Sequence, residues 1–166
     1  MDITYRIASQ KDIKEIDSLI QSAIVSMNEQ NIKQWDEEYP SEEILSDDIS
    51  KAQLYVGCVE DRIAVLYVLN EEYDEDYNTA HWRYEDKPYI ILHRLCVHPD
   101  FQNQRIARKT MLQIENQVRS MGKEAIRLDA FSENSYALRL YDSLGYTRVG
   151  QADWRMGRFY LMEKYL

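Results

Sequence analysis

An asparagine and a tyrosine seven residues apart, Asn134 and Tyr141, are the side chains in this sequence best suited to chemistry. Seven residues are almost two turns of an α-helix, so both side chains would lie on one helix face. The asparagine amide can donate and accept hydrogen bonds, which suits an amide-bearing ligand, and a tyrosine hydroxyl, with an ordinary pKa of about 10, can protonate a departing thiolate. The alternative is structural, with Asn134 as a helix cap and Tyr141 as a core residue.

A second stretch with functional potential runs from Tyr89 to Val118. It opens as an apolar, β-branched run that predicts a buried strand, passes a polar turn after Pro99, and continues with the spacing of a helix. The N–H groups of the first helical turn would point back at this turn, with the positive end of the helix dipole behind them. The pattern therefore predicts an anion site.

Both stretches resemble the signature motifs of the GCN5-related N-acetyltransferase (GNAT) superfamily. In the first motif, a strand ending near Val-x-Pro leads to Gln/Arg-x-x-Gly-x-Gly/Ala, and the matching residues here are Val97, Pro99, Gln102, Arg105 and Ala107. The second motif, Asn-x-x-Ala-x-x-Leu-Tyr-x-x-x-Gly-Phe/Tyr, is matched at every key position over residues 134–146. The resemblance covers nearly the whole chain.

The first motif departs from the family pattern at two positions. Arg105 stands where the family usually has glycine, and Asn103 stands where many members have it. Glycine permits a positive φ and a close approach of the backbone to a ligand, and asparagine tolerates the left-handed conformation. Arg105 could therefore hinder phosphate binding, or could help it by adding positive charge.

The resemblance implies an α/β (α+β) fold and a single GNAT domain over residues 1–166. Its mixed central sheet would have about seven strands, splayed at the fourth, with about four helices on both faces. It also implies an acyl-CoA-dependent N-acetyltransferase with acetyl-CoA as cosubstrate. The acetyl group would pass directly to an amine of a small molecule or peptide, without a covalent enzyme intermediate.

The family assigns roles to particular positions of this chain. Tyr141 would be the general acid, and Asn134 would bind pantetheine. Backbone groups of the splayed strand would pair with pantetheine and polarise the thioester carbonyl, and the turn with the helix start would hold the pyrophosphate. The cofactor-binding residues are then Leu95, Cys96, Val97, Gln102, Asn103, Gln104, Arg105, Ile106, Ala107, Asn134 and Tyr141.

The acceptor side and the general base are less determined by the pattern. Trp35 and Tyr39 lie between the first two predicted helices, which in the family form part of the acceptor wall, although they could simply pack that connection. His93 has a suitable intrinsic pKa for a base but could be a packed strand residue. Glu72 and Asp129 are further candidates for the base or for acceptor binding, and a chain of waters would require no single residue.

Other functions remain open from sequence. The altered loop could mark a catalytically inactive acetyl-CoA-binding sensor or interaction protein. Transfer of a longer acyl group, or acetylation of protein N-termini or lysines, is also compatible with the pattern.

Composition restricts the partners and the compartment. The chain has 166 residues, 29 acidic against 20 basic, and a net charge of −9, which argues against nucleic-acid binding. An acidic rim could attract a cationic amine, or the charge could serve solubility alone. The sequence contains no apolar run long enough for a membrane span and begins without the pattern of a signal peptide, so we expect a cytoplasmic protein.

The cysteines and histidines show no ligand spacing. Cys58 and Cys96 are predicted to be buried, reduced thiols rather than a disulfide or metal site, and we expect no structural metal. Neither cysteine has a neighbouring base in the sequence, which disfavours an acetyl-cysteine intermediate.

Hydrophobic periodicity predicts the element order β-α-α-β-β-β-α-β-α-β-β. Residues 70–87 form the one long irregular segment, acidic and rich in aromatic residues, and we expect it to fold against the body of the protein. Aromatic residues in the final strands, Trp154, Phe159 and Tyr160, are predicted to be exposed and to favour a homodimer.

Overall fold

A computed structural model gives the fold of residues 2–166. Over those residues the chain forms seven strands and four α-helices in the predicted order. The strands are β1 (Thr4–Ile7), β2 (Leu54–Val59), β3 (Arg62–Asn70), β4 (Tyr89–Val97), β5 (Ala125–Phe131), β6 (Thr147–Trp154) and β7 (Gly157–Tyr165), and the helices are α1 (Ile13–Glu29), α2 (Glu42–Ser50), α3 (Ile106–Ser120) and α4 (Ser135–Ser143). The strands form one mixed sheet in the order β1-β2-β3-β4-β5-β7-β6, which confirms the predicted fold class.

The chain divides into two compact units, of which the first comprises residues 2–69 and 94–110. Its strands β1, β2 and β3 pair antiparallel. The apolar faces of α1 and α2 are buried in one cluster with β2 and β3, because their apolar residues recur at helical spacing. A 3₁₀ turn, Gln10–Asp12, precedes α1, and its Asp12 carboxylate accepts the Ser9 N–H at 2.8 Å. At the start of α2, the Ser41 hydroxyl oxygen accepts the Ile44 N–H at 3.2 Å.

The second unit comprises residues 70–93 and 111–166. Here β4 and β5 pair in parallel from Tyr89 opposite Ala125 to Ile91 opposite Arg127. Strand β5 then continues along β7 as far as Phe131. The β4–β5 ladder thus stops before either strand ends, which is the predicted splay at the fourth strand.

The segment of residues 70–87 folds against this second unit, as predicted. It contains a 3₁₀ helix, Glu75–Thr79, from which Tyr77 is buried. The Trp82 indole N–H donates to the Tyr77 carbonyl oxygen at 2.7 Å, and the Trp154 indole N–H donates to the Asp76 carboxylate at 2.7 Å. Aromatic side chains therefore fix this segment to the β6–β7 hairpin.

The predicted exposure of the late aromatic residues is wrong. Phe159 is buried, and Trp154 and Tyr160 are half-buried. The Phe159 ring lies 5.0 Å from the ring of Trp154 and 5.0 Å from that of Phe131, because β5, β6 and β7 place these residues side by side. The homodimer stays a prediction, without support from these three residues.

No α-helix between residues 2 and 166 is both long enough and apolar enough to cross a membrane. In the same range, no group of three or more His, Cys, Asp or Glu side chains is placed to hold a metal ion.

A substitution at Gly150 of β6 tests how residues 70–87 pack against this strand. A Cβ atom at this position would lie 2.8 Å from Ala80 Cβ and 3.1 Å from Ala80 Cα. We expect Gly150→Ala to lower the free energy of unfolding by about 1–3 kcal/mol, because the segment must move away from β6. Denaturant titration measures this change. Gln151→Ala, on the exposed neighbour, is the control, and equal stability of both variants would contradict the packing.

Candidate functional site

The turn after β4 is anchored by aromatic packing. Pro99–Phe101 form one 3₁₀ turn, and the His98 Nδ1 atom accepts the Asp100 N–H at 3.0 Å. Phe101 is buried in a cluster with Ile106 at the start of α3. The Arg62 guanidinium also lies 4.8 Å from the centre of the Phe101 ring. The turn is therefore fixed at both ends, with its tip left exposed.

The two positions where the family has glycine adopt the conformation that glycine favours. Asn103 has φ 63° and Arg105 has φ 61°. The left-handed region costs most L-residues roughly 1–2 kcal/mol, so the loop keeps the shape of a phosphate-binding turn against local preference. The sequence pattern indicated lost glycines here, whereas the backbone retains their geometry.

This loop presents donors and positive charge to solvent. Residues 102–105 are exposed, and α3 begins immediately after them. The Arg105 carbonyl oxygen accepts the Lys109 N–H at 3.0 Å, so the preceding N–H groups belong to the first helical turn, where no intrahelical acceptor exists. With exposed Arg105 and Arg108 beside them, these groups can hold a pyrophosphate.

Strand β4 contains a left-handed residue in its interior. Arg94 has φ 55°, which interrupts the extended backbone between His93 and Leu95. Strand β4 then continues through Leu95–Val97, and the next residue, His98, donates its N–H to the Ala64 carbonyl oxygen of β3 at 2.8 Å. The predicted cofactor strand is thus bent just before the residues that would face the thioester.

The Arg94 side chain makes a contact that the sequence did not predict. Its Nε and Nη2 atoms donate to the Asp48 carboxylate at 2.9 and 2.7 Å, and its Nη1 atom donates to the Tyr39 hydroxyl oxygen at 2.7 Å. Burial acts to lower the pKa of Arg94, but Tyr39 and Asp48 outweigh it, so the pKa lies above its usual value. An arginine inside an apolar strand was the available signal.

The two predicted acceptor-side aromatic residues differ in placement. Trp35 is buried in the cluster formed with α1 and α2, which favours the packing interpretation. Tyr39 is 37% exposed and reaches Arg94. Tyr39 is thus the better placed of the two to meet an acceptor.

Tyr141 and Asn134 take positions consistent with both their functional and their structural roles. The Asn134 Oδ1 atom accepts the Ala137 N–H at 3.1 Å and so caps α4. Tyr141 is buried, and burial, followed by the charge of Asp129, raises its pKa above the ordinary value for tyrosine. The phenol therefore keeps its proton at neutral pH.

A buried carboxylate network lies behind Tyr141. The Tyr146 ring is 5.8 Å from the Tyr141 ring, and the Tyr146 hydroxyl donates to the Glu115 carboxylate at 3.0 Å. Lys164 donates to the same carboxylate at 2.9 Å. Burial, followed by the charge of Glu115, raises the pKa of Tyr146. These contacts orient the second motif. The role of Glu115 was not predicted from the sequence.

The remaining candidates lie at different depths. Asp129 is half-buried and accepts the Tyr77 hydroxyl at 2.7 Å. His93 is half-buried and directly precedes the bend in β4, and Glu72 is exposed. Of these three residues, Asp129 is the one whose charge acts on Tyr141.

Both cysteines are free thiols. Burial raises the pKa of Cys96 to about 12. Burial also raises the pKa of Cys58, which is half-buried. Neither thiol is activated as a nucleophile, since attack requires the thiolate.

The family model described as Acetyltransferase (GNAT) family matches residues 20–146. This chain belongs to the GNAT acetyltransferase family. The match includes the strand-turn-helix of β4 and α3 as well as the motif on α4.

Solved structures agree with this membership at the level of the fold. A GNAT-family acetyltransferase from Streptococcus agalactiae has a TM-score of 0.85 at 22% identity, covering 99% of this GNAT chain and 95% of that one. The PaiA N-acetyltransferase of Thermoplasma acidophilum, solved in complex with coenzyme A, has a TM-score of 0.73 at 19% identity and covers 100% of both chains.

A curated relative gives a narrower match. The L-methionine sulfoximine/L-methionine sulfone acetyltransferase of Salmonella typhimurium is 31% identical over 71 residues. Those residues are 42% of this GNAT chain and 42% of the relative, so the match spans about two-fifths of either protein.

The left-handed conformation of Asn103 predicts a selective response to substitution. We expect Asn103→Val to lower the free energy of unfolding by about 1–2 kcal/mol, since a β-branched residue is strained at φ 63°, and Asn103→Gly to lower it much less. The matched control is Gln102→Val, exposed at φ −70°. Thermal unfolding measures all three, and similar losses at residues 102 and 103 would contradict the loop geometry.

Proposed function

We propose that this chain is an N-acetyltransferase that uses acetyl-CoA and transfers its acetyl group directly to an amine. The observation that carries the proposal is the loop before α3, where Asn103 and Arg105 hold left-handed conformations at the family's glycine positions. A loop that had been released from binding phosphates would have no need to keep two disfavoured backbone conformations. The same observation removes the ground for a catalytically inactive protein.

The residues present suit each part of the cofactor. The exposed residues Gln102–Arg105, with the first-turn N–H groups of Ile106 and Ala107, would hold the pyrophosphate. Backbone groups of Leu95–Val97, beyond the bend in β4, would pair with the pantetheine arm, and Asn134 would contact the same arm. Bound acetyl-CoA supplies an activated thioester.

Chemistry then requires three tasks of the chain. N–H groups of the β4 backbone stabilise the negative charge that develops on the carbonyl oxygen as the acceptor nitrogen forms the new C–N bond. Tyr141 gives its proton to sulfur as the C–S bond breaks. One proton must also leave the acceptor amine, because amines are largely protonated at neutral pH.

We assign this last proton to Asp129, with His93 and Glu72 as the other candidate bases. The charge of Asp129 raises the pKa of Tyr141. If Asp129 took the proton of the amine, that charge would disappear, and the pKa of Tyr141 would fall toward the raised value set by burial alone.

The charge of the chain and the name of a relative support a proposal for the acceptor class. A net charge of −9 favours a cationic acceptor, and Tyr39, Asp129 and Glu72 are candidate contacts, with Trp35 as a packed neighbour. The Salmonella relative is named for amino-acid derivatives, so small amino acids and peptides come first in a screen. Longer acyl groups and protein amines come second.

The compartment and assembly complete the proposal. We infer a cytoplasmic protein, because both cysteines are free thiols. We also propose a homodimer, which sedimentation analysis would test.

Calorimetric titration with acetyl-CoA, desulfo-CoA and adenosine diphosphate at one salt concentration tests cofactor binding. Micromolar binding of acetyl-CoA that exceeds the binding of the nucleotide would support the proposal, and an amine screen with thiol detection would follow. Absence of binding at millimolar acetyl-CoA would contradict it.

Tyr141→Phe tests the general acid. We expect kcat to fall about 100-fold or more, because sulfur then leaves without a proton donor, while the Kd for acetyl-CoA changes little. Because the pKa of Tyr141 is raised, its proton remains in place at pH 9, and we expect no loss of wild-type kcat from this residue up to that pH. Tyr136→Phe, on the exposed face of α4, is the control. Equal kcat in wild type and Tyr141→Phe would exclude this role.

Arg105→Gly tests whether the arginine is a ligand or an obstacle. We expect the variant to bind acetyl-CoA several-fold more weakly, with a shallower salt dependence, because glycine keeps the backbone shape but removes a charge. The affinity of Arg105→Lys for acetyl-CoA should lie between those of the wild type and Arg105→Gly. Tighter binding by Arg105→Gly would show that the arginine obstructs the loop.

A further inference from the structure

Arg94 holds a backbone conformation that needs support. It lies inside β4 with φ 55°, where an L-residue with a long side chain is disfavoured. Residues of this kind persist only when surrounding contacts determine them. The contacts of the Arg94 side chain therefore bear directly on the shape of the strand.

Those contacts engage all three guanidinium nitrogens and come from two segments of the chain. Asp48 of α2 binds Nε and Nη2 in the two-pronged geometry that a guanidinium and a carboxylate prefer, at 2.9 and 2.7 Å. The Tyr39 hydroxyl oxygen, in the connection between α1 and α2, accepts from Nη1 at 2.7 Å. The Arg94 and Asp48 side chains are only 10% and 5% exposed.

Stability alone is a weak reason for such a pair. Removing two charges from water costs nearly as much as their attraction returns, and apolar residues of similar volume often serve as well. A planar, two-pronged contact does, however, fix direction. The pair is best explained by the orientation that it imposes on β4.

We propose that Arg94 is a positioning residue that joins the bend of β4 to α2 and to Tyr39. This inference rests on the proposed acetyl transfer. The Asp48 contact sets the direction of the N–H groups of Leu95–Val97 toward the thioester. It also places Tyr39, a candidate acceptor contact, on the same guanidinium, so that one side chain orders both the cofactor strand and the acceptor side.

The proposal separates two parts of cofactor binding. The nucleotide end is held by the loop of residues 102–107 and does not involve Arg94. The thioester end depends on the direction of the β4 backbone. Loss of the Arg94 contact should therefore affect acetyl-CoA more than adenosine diphosphate, a difference that general loss of structure would not produce.

Arg94→Lys is the first test, since lysine keeps the charge but cannot make the two-pronged contact. We expect kcat to fall on the order of 10–100-fold, because small displacements of reacting groups are costly. We expect the Kd for acetyl-CoA to rise and the Kd for adenosine diphosphate to stay within about twofold. Asp48→Asn should give the same pattern, and the double variant should be little worse than either single variant.

The matched control is Arg158→Lys. Arg158 also binds a carboxylate through two nitrogens: its Nε and Nη2 atoms donate to Asp153 at 2.9 and 3.4 Å. This pair, however, lies on the exposed β6–β7 hairpin. We expect Arg158→Lys to leave all three constants unchanged. Tyr39→Phe removes a single hydroxyl from a partly exposed residue and should raise the KM of the acceptor more than it lowers kcat.

A second variant keeps the proposal testable if Arg94→Lys folds poorly. Arg94→Gly combined with Asp48→Asn retains a residue suited to positive φ while removing both charges. Wild-type kcat in this variant, or in a folded Arg94→Lys protein, would overturn the inference. Equal loss of acetyl-CoA and adenosine diphosphate binding would also overturn it, because the role would then be structural. A wild-type protein that neither binds acetyl-CoA nor acetylates any amine would overturn the proposed function itself, and the inference with it.

Discussion

A strand can offer its N–H groups to a ligand only where it stops giving them to a neighbouring strand. In this chain the β4–β5 ladder ends at the pair Ile91–Arg127, although both strands continue. Three residues later, the left-handed Arg94 bends the β4 backbone. Leu95–Val97, the loop that follows them and α3 all come after this interruption, so the cofactor binding proposed for them depends on it.

The paired end of the β4–β5 ladder carries further contacts in the second unit. The segment of residues 70–87 supplies two of them: the Glu163 carboxylate accepts the Arg83 N–H, and the Trp82 ring lies 4.3 Å from the Arg127 guanidinium, which also lies 3.8 Å from the Tyr89 ring of β4. Both charged residues are buried, and burial lowers the pKa of Arg127. The aromatic residues that make this long segment unusual in sequence thus have a packing role that does not depend on any acceptor.

Sequence was informative where a repeating pattern or a motif determines the structure. The order of the elements and the motif on α4 follow from periodicity and residue type, which depend only on residues close together in the chain. The second half of strand β6 contains polar Gln151 and Asp153. They alternate with Ala152 and Trp154 along β6, and the strand extends to Trp154.

The features that sequence could not give depend on contacts distant in the chain. The Arg94 side chain contacts Asp48 and Tyr39, 46 and 55 residues away, and Glu115 contacts Tyr146 across 31 residues. The conformations of Asn103 and Arg105 were also hidden, because residue type suggested that their glycine-like geometry had been lost. Spacing in the sequence alone could not show whether Trp35 packs in the core or forms part of the acceptor wall.

Two side-chain-bearing residues in left-handed conformations also change how the proposed phosphate-binding loop behaves before any ligand binds. Glycine at Asn103 and Arg105 would let the free loop sample many backbone shapes, and binding would then have to select one of them. Asparagine and arginine sample fewer shapes, so less conformational entropy is lost when an anion settles into the loop. The two residues therefore keep a small backbone strain at all times, but the loop is already organised when the anion binds.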